Sequence, residues 1–200
     1  MSAPARPELR GRRVVLDPLR DRHVAALHTI ATADELLGGW PCYGRALSLA
    51  EFRQSIWQLG GLQFAVRRRD DDRVIGVVQG IDPDVEAGVV DVAFFVRPDL
   101  WLSGWPFEAV VLLLDYLFME REFRKVYFRV QESDAAHIGL NERWATEEAR
   151  YTRHHLDSAG SAEDVVFLAM DREAWDTDLA DRILGRARIE PLSQSPVITG

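Results

Sequence analysis

In RRVVLDPL (residues 12–19) Val14 and Leu16 fall on one face of an extended segment, which predicts a first strand. The period then changes. DRHVAALHTIATADE (21–35) places Val24, Leu27, His28 and Ala31 at helical spacing. LLGGWPCYGRAL (36–47) has no period and reads as a loop. Ser48 and Glu51 form the pattern of a capping box, with Leu47 before it as a staple and Phe52, Ile56 and Leu59 as the stripe of a second helix. Period two returns in LQFAVRRR, RVIGVVQGI and VVDVAFFVR, three strands joined by turns at DDD and DPDVEAG. A helix over about residues 104–121 is apolar on most sides and so predicted to be buried. KVYFRVQ is a fifth strand and SDAAHIGLNERWATEEA a further helix with Ile138, Leu140 and Trp144 as core positions. RYTRHHL and EDVVFLAM form a last antiparallel pair, and from about Thr177 a polar helix runs into a loosely held tail. A helix between the fourth and fifth strands makes those two parallel. The remaining strands are antiparallel, so the fold class is α/β with a mixed, mostly antiparallel sheet flanked by helices.

The chain has 200 residues, enough for one domain with a real core. A net charge of −8 argues against wholesale binding to nucleic acid or anionic membrane. The longest greasy run, AVVLLLDYLFM, is broken by Asp115, and the N-terminus has no apolar signal core. Cys42 is the only cysteine, which excludes an internal disulfide and a multi-cysteine metal site. These features point to the cytoplasm. His154 and His155 are neighbours on a strand and point to opposite faces, so they cannot share a metal, and no cluster has metal-ligand spacing.

VRPDLWLSGWPFEAV (96–110) is where a strand passes through a short loop into a helix. Such a junction offers unpaired N–H groups and a partial positive charge to a phosphate. Leu102, Ser103, Gly104 and Trp105 supply N–H groups, and Arg97 supplies charge from the strand end. Pro106 fits a first helical turn but removes one donor. The plainer alternative is a simple helix start with Ser103 as N-cap and the tryptophans packed on the core.

The order of elements resembles the GNAT superfamily of N-acetyltransferases, and more narrowly its RimJ/RimL-like branch, which acetylates ribosomal-protein N-termini and small amines. The likeness is carried by DAAHIGLNERWATEEARYTRHHL followed by EDVVFLAMDREAW, where Asp134, His137, Glu142, Arg143, Trp144, Glu148, Arg150, Asp164, Val165, Val166 and Trp175 fall in the branch's register. It covers residues 9–176 as one acyltransferase domain, with 177–200 a C-terminal helix and tail. The resemblance implies no permanently bound cofactor but acetyl-CoA or another acyl-CoA as co-substrate. Its donor would lie along Val96, Arg97 and the loop Leu102, Ser103, Gly104 and Trp105, with Asp134 and Asn141 on the later helix. In that loop Trp101 stands where the family has Gln or Arg, and Pro106 where it has a small residue; Glu108 and Ala109 fit the usual Glu-Ala. Asn141 takes the place of the tyrosine that often protonates the leaving thiolate.

Transfer from a thioester to an amine needs a base. Asp91 opens the fourth strand where relatives often hold a glutamate, and His137, in the first turn of a helix, is a second candidate; a solvated carboxylate and a surface histidine are their plainer readings. Trp40, Tyr43 and Arg45 would wall the acceptor pocket, Arg45 meeting an acidic group. The expected partner is a small-molecule or peptide amine, with an acyl carrier protein as a possible source of the acyl group, and the chain acts as a monomer or homodimer. The competing expectation is a divergent GNAT fold that no longer transfers acetyl from CoA, either binding a ligand or using a carrier-bound thioester.

Overall fold

The computed structural model describes residues 8–33, 45–58, 61–133, 145–156 and 161–175. Its order is β1 (Leu9–Arg10), β2 (Val14–Pro18), α1 (Asp21–Ala31), α2 (Leu49–Gln58), β3 (Leu62–Arg68), β4 (Val74–Asp84) and β5 (Val89–Val96). A 3₁₀ turn (Pro98–Ser103) leads into α3 (Trp105–Asp115), which runs on as a π turn (Tyr116–Glu120). The chain continues through β6 (Lys125–Gln131), β7 (Thr146–Leu156) and β8 (Ala162–Asp171).

All eight strands form one sheet in the order β1-β2-β3-β4-β5-β6-β8-β7. Only β5 and β6 are parallel, as the crossover through α3 requires. The expected class is therefore observed. The turn expected over residues 82–88 is shorter than read: β4 runs to Asp84 through a bulge, with Asp82 at φ 46°.

The two sheet faces carry different cores. Against α3 lie Val14, Leu16, Phe64, Val78, Val90, Val92, Val126 and Phe128. α1 and α2 cover part of the opposite face, packing on Ala65, Val77 and Phe95. The capping box forms as read: Ser48 N–H donates to Glu51 Oε2 at 2.8 Å, and Glu51 N–H donates to Ser48 Oγ at 3.3 Å. Leu47 and Phe52 are buried together beside it, as a staple requires.

One element departs from expectation. The helix read as far as Ala149 gives way by Thr146 to β7. TEEA has good helix formers, but Thr146 pairs with Ala169 and Glu147 with Leu168 across β8, and sheet pairing overrides local propensity. Ile138, Leu140 and Trp144 lie outside the described residues. A register shift between Tyr151 and His155, with Arg153 at φ 51°, breaks the regular alternation assumed for the two histidines. Among the described residues no helix is long and apolar enough to cross a membrane.

Candidate active site

The site is built where β5 and β6 part. They pair from Val89–Lys125 to Val92–Phe128 and no further. β5 continues to Val96 bonded to β4, and β6 continues to Gln131 bonded to β8. A gap therefore opens between the C-terminal ends of two strands that are each held from behind.

Backbone direction shows what lines this gap. Arg97 N–H donates to the Ile75 carbonyl at 2.9 Å, toward β4. Successive residues of a strand point their polar groups to opposite sides, so the N–H and C=O of Val96, and of Phe94 two residues before, face the gap. An extended amide-bearing chain could pair with them. The Val96 carbonyl, however, already accepts a hydrogen bond from Trp101 Nε1–H at 3.1 Å. The Trp101 side chain, 40% exposed, thus caps one acceptor on the wall.

At the mouth of the gap the loop is wound tightly. Residues 98–103 form the 3₁₀ turn, whose own i→i+3 bonding draws on its N–H groups. Ser103 Oγ–H donates to the Leu100 carbonyl at 2.6 Å and Ser103 Oγ accepts from Trp105 N–H at 3.3 Å. The N-cap of α3 is Gly104 rather than Ser103, at φ 78°, in the left-handed region that glycine adopts without strain. Pro106 sits in the first turn of α3 and brings no donor. Two cations border this helix start. Arg13 Nη1 donates to the Ser103 carbonyl at 3.0 Å, and the Arg68 guanidinium lies 4.3 Å from the Trp105 ring centroid. Arg97 is held by Asp99 at 2.8 Å.

α3 is fixed by Glu108, which is 2% exposed. Its carboxylate accepts from the backbone N–H of Arg13 at 2.7 Å and of Val14 at 3.3 Å, and from Arg13 Nε at 3.2 Å. Gly11 makes room for it: a Cβ there would stand 2.3 Å from Glu108 Oε1.

Asp91 lies at the root of the gap, between Ile81 on β4 and Tyr127 on β6. Val90 and Val92 face α3, so Asp91 faces the opposite side. Burial pushes its carboxyl above the usual carboxylate range; Asp82 adds to the rise and Arg129 pulls part of it back. On β6, Val126 and Phe128 face α3, so Tyr127 and Arg129 share the face of Asp91. Gln79, opposite Ala93 on this face, is fully buried with neither amide atom bonded among the described residues.

The structure therefore brings together Asp91, Val96, Arg97, Ser103, Gly104 and Trp105 around one pair of strands, with the backbone of Leu102 in the 3₁₀ turn. Arg45 is exposed just before α2, and its charge acts on Glu51. Glu132, at the end of β6, is held by Arg150 at 2.8 Å. Trp40, Cys42, Tyr43, Asp134, His137 and Asn141 lie outside the described residues. Sequence reading missed Tyr127 and Arg129. Their signal was present in KVYFRVQ, where polar and aromatic residues alternate with the buried ones.

Two parallel strands part toward the start of their crossover helix, with a half-buried carboxylate at the root of the gap. The chain belongs to the acetyltransferase (GNAT) domain family, which it matches over residues 13–147. GNAT acetyltransferases use acetyl-CoA as co-substrate. Its fold is similar to that of a GCN5-related N-acetyltransferase from Brucella melitensis, with a TM-score of 0.72 at 20% identity over 91% of this chain and 86% of that one. It is similar to a probable GNAT acetyltransferase from Chromobacterium violaceum, with a TM-score of 0.71 at 23% identity over 88% and 93% of the two chains. A spermidine N-acetyltransferase chimera from Vibrio cholerae and hSSAT gives a TM-score of 0.69 at 17% identity over 83% and 99%. No curated protein matches the chain in sequence.

Proposed function

We propose that this protein is an acyl-CoA-dependent N-acyltransferase, with acetyl-CoA as donor, that acts on a small amine or a peptide N-terminus in the manner of the RimJ/RimL-like branch. The observation that carries this reading is the open end of the β5–β6 pair with Asp91 at its root. The pantetheine arm of the donor runs along the gap-facing backbone of Phe94 and Val96, and its diphosphate meets the N-terminus of α3. The acceptor enters from the face that carries Asp91. Its nitrogen attacks the thioester carbonyl, a C–N bond forms, the C–S bond breaks and the thiolate leaves. Asp91 takes the amine proton directly or through water, and solvent protonates the thiolate. The compartment of action is the cytoplasm. The test is free-thiol release from acetyl-CoA across a panel of amines and aminoacyl compounds. Thiol release above the hydrolysis rate supports the reading; none with any acceptor removes it.

Two observations favour a second reading, in which the loop grips CoA weakly and the donor is a carrier-bound thioester, which has a pantetheine arm and one phosphate. Trp101 occupies the Val96 carbonyl, and Pro106 deletes a donor at the helix start. A hydrogen bond to a charged group contributes about 1.5–3 kcal/mol. The double variant Trp101→Arg, Pro106→Ala is therefore expected to tighten acetyl-CoA binding by roughly ten- to a hundredfold in calorimetry. Low-micromolar binding by the wild type with no gain in the double variant would remove the weakened-loop reading.

A further inference from the structure

On the face of Asp91, β6 and its neighbours β8 and β7 carry an unusual group of side chains. The Arg129 guanidinium lies 5.8 Å from the Phe167 ring centroid, and its Nη2 is 3.2 Å from His154 Nε2. The Tyr151 ring sits beside both, with centroid distances of 5.1 Å to His154 and 4.9 Å to Phe167. Arg129, His154 and Tyr151 are exposed. The arginines divide by partner: Arg69 and Arg124 donate to backbone carbonyls, and several others hold carboxylates. Arg13, Arg22, Arg67, Arg68, Arg97 and Arg150 each hold a carboxylate of the chain itself. Arg129 holds none among the described residues, in a chain of net charge −8. Its place is also particular. It follows Phe128, the last residue of β6 paired to β5, so it stands where the gap begins.

We propose that the acceptor is an amine that also carries a carboxylate, with the amine at Asp91 and the carboxylate on Arg129 beside His154. A guanidinium already held between an aromatic ring and a histidine gives up less side-chain freedom when it binds an anion. The charges on the two walls are ordered for such a molecule: the carboxylate Asp91 on β5 receives the amine end and the cation on β6 the acidic end. A polyamine would bring a second positive charge to Arg129 and be disfavoured. Spacing sets the length. Asp91 stands beside Tyr127, and Arg129 lies two residues further along β6 with its head over Phe167 on β8, so the amine and carboxylate are separated by one to two strand spacings across the sheet and about 7 Å along it, roughly 8–12 Å in all. That favours an ω-amino acid or a side-chain carboxylate over a simple α-amino acid. The inference rests on the acyltransfer reading and assigns its acceptor.

The test compares 6-aminohexanoate, glycine, hexylamine and spermidine as acceptors for acetyl-CoA, by thiol release, in the wild type and in Arg129→Gln and Arg129→Lys. The expected result is a lower KM for 6-aminohexanoate than for hexylamine or glycine. In Arg129→Gln that KM rises about tenfold, the scale of one charge-assisted hydrogen bond at an exposed site. Arg129→Lys restores part of it, and because any effect of Arg129 on Asp91 is common to both acceptors, the rise is read as the ratio of the KM for 6-aminohexanoate to that for hexylamine. Equal or better use of hexylamine or spermidine by the wild type overturns the proposal while leaving acyl transfer intact. If no acceptor releases thiol, the acyltransfer reading fails, and calorimetry of 6-aminohexanoate decides the site alone. Binding that Arg129→Gln abolishes upholds the carboxylate site, and no binding to the wild type overturns it.

Discussion

Replacing Asp91 with asparagine is expected to lower kcat/KM by about 10²–10⁴, the usual contribution of a positioned general base. The KM for acetyl-CoA should change little, because the carboxylate faces away from α3 and its loop. The pH dependence separates a base from a merely structural group. Burial and Asp82 raise the Asp91 carboxyl, with Arg129 offsetting part. The active, ionised form therefore appears only as pH rises through a value above the ordinary aspartate range. The wild type should lose activity on the acid side at that raised value, and the residual activity of Asp91→Asn should lack this limb. Stability moves the other way. A carboxyl whose pKa is raised by folding carries no penalty below its unfolded pKa and its full penalty above its folded pKa. At neutral pH Asp91→Asn should be as stable as the wild type or slightly more so. An asparagine variant with wild-type kcat and the same acid limb would take Asp91 out of the chemistry.

Replacing Glu108 with alanine is expected to have the largest effect on stability. Its carboxylate is the partner of two backbone N–H groups, of Arg13 and Val14, at the start of β2. The Arg13 side chain is 44% exposed and can turn to water when its partner is lost. The two backbone donors cannot do so as easily, and an orphaned buried donor costs about 1–3 kcal/mol. A loss of about 3 kcal/mol follows, or a fall in Tm of roughly 6–12 °C for a chain of this size. Glu108→Gln keeps one acceptor oxygen and should fall between the two. Denaturant melts of the three proteins measure this. An alanine variant within 0.5 kcal/mol of the wild type, on the order of an ordinary surface substitution, would show that the β2–α3 junction is held by its apolar contacts alone.

The parts of this fold that local chemistry dictates were readable from the chain. The capping box at Ser48 and Glu51 needs only two residues three apart, and it forms. The parallel β5–β6 pair follows from a helix lying between two strands, and the burial of α3 follows from its apolar sides. The position of Asp91 on the face away from α3 follows from alternation in VVDVAFFV. The rest depends on contacts between distant residues. Glu108 meets Arg13 across 95 residues of sequence, and nothing in either segment announces the other. Serine is a good N-cap, which makes Ser103 the plainer cap for α3; the chain turns left-handed at Gly104 instead, and the serine hydroxyl bridges the Leu100 carbonyl and the Trp105 N–H. The bond from Trp101 to Val96 depends on which way a carbonyl points, a matter of strand register that composition does not carry. Arg129 carries no signal by itself, since a single arginine on a strand is common. It gains meaning only from the aromatic rings that β7 and β8 bring beside it.

The four residue pairs that join β5 to β6 have a further consequence. The sheet is two antiparallel leaves, β1 to β5 and β6-β8-β7, stitched along Val89–Val92 and Lys125–Phe128. Asp91 belongs to the first leaf and Arg129 to the second, so neither leaf holds the proposed site alone. A small change along that seam alters the angle between the leaves and the spacing of the two side chains, while each leaf keeps its own interstrand hydrogen bonds. Divergence of substrate choice in such a sheet can begin at the seam, with no exchange of the residues that touch the substrate.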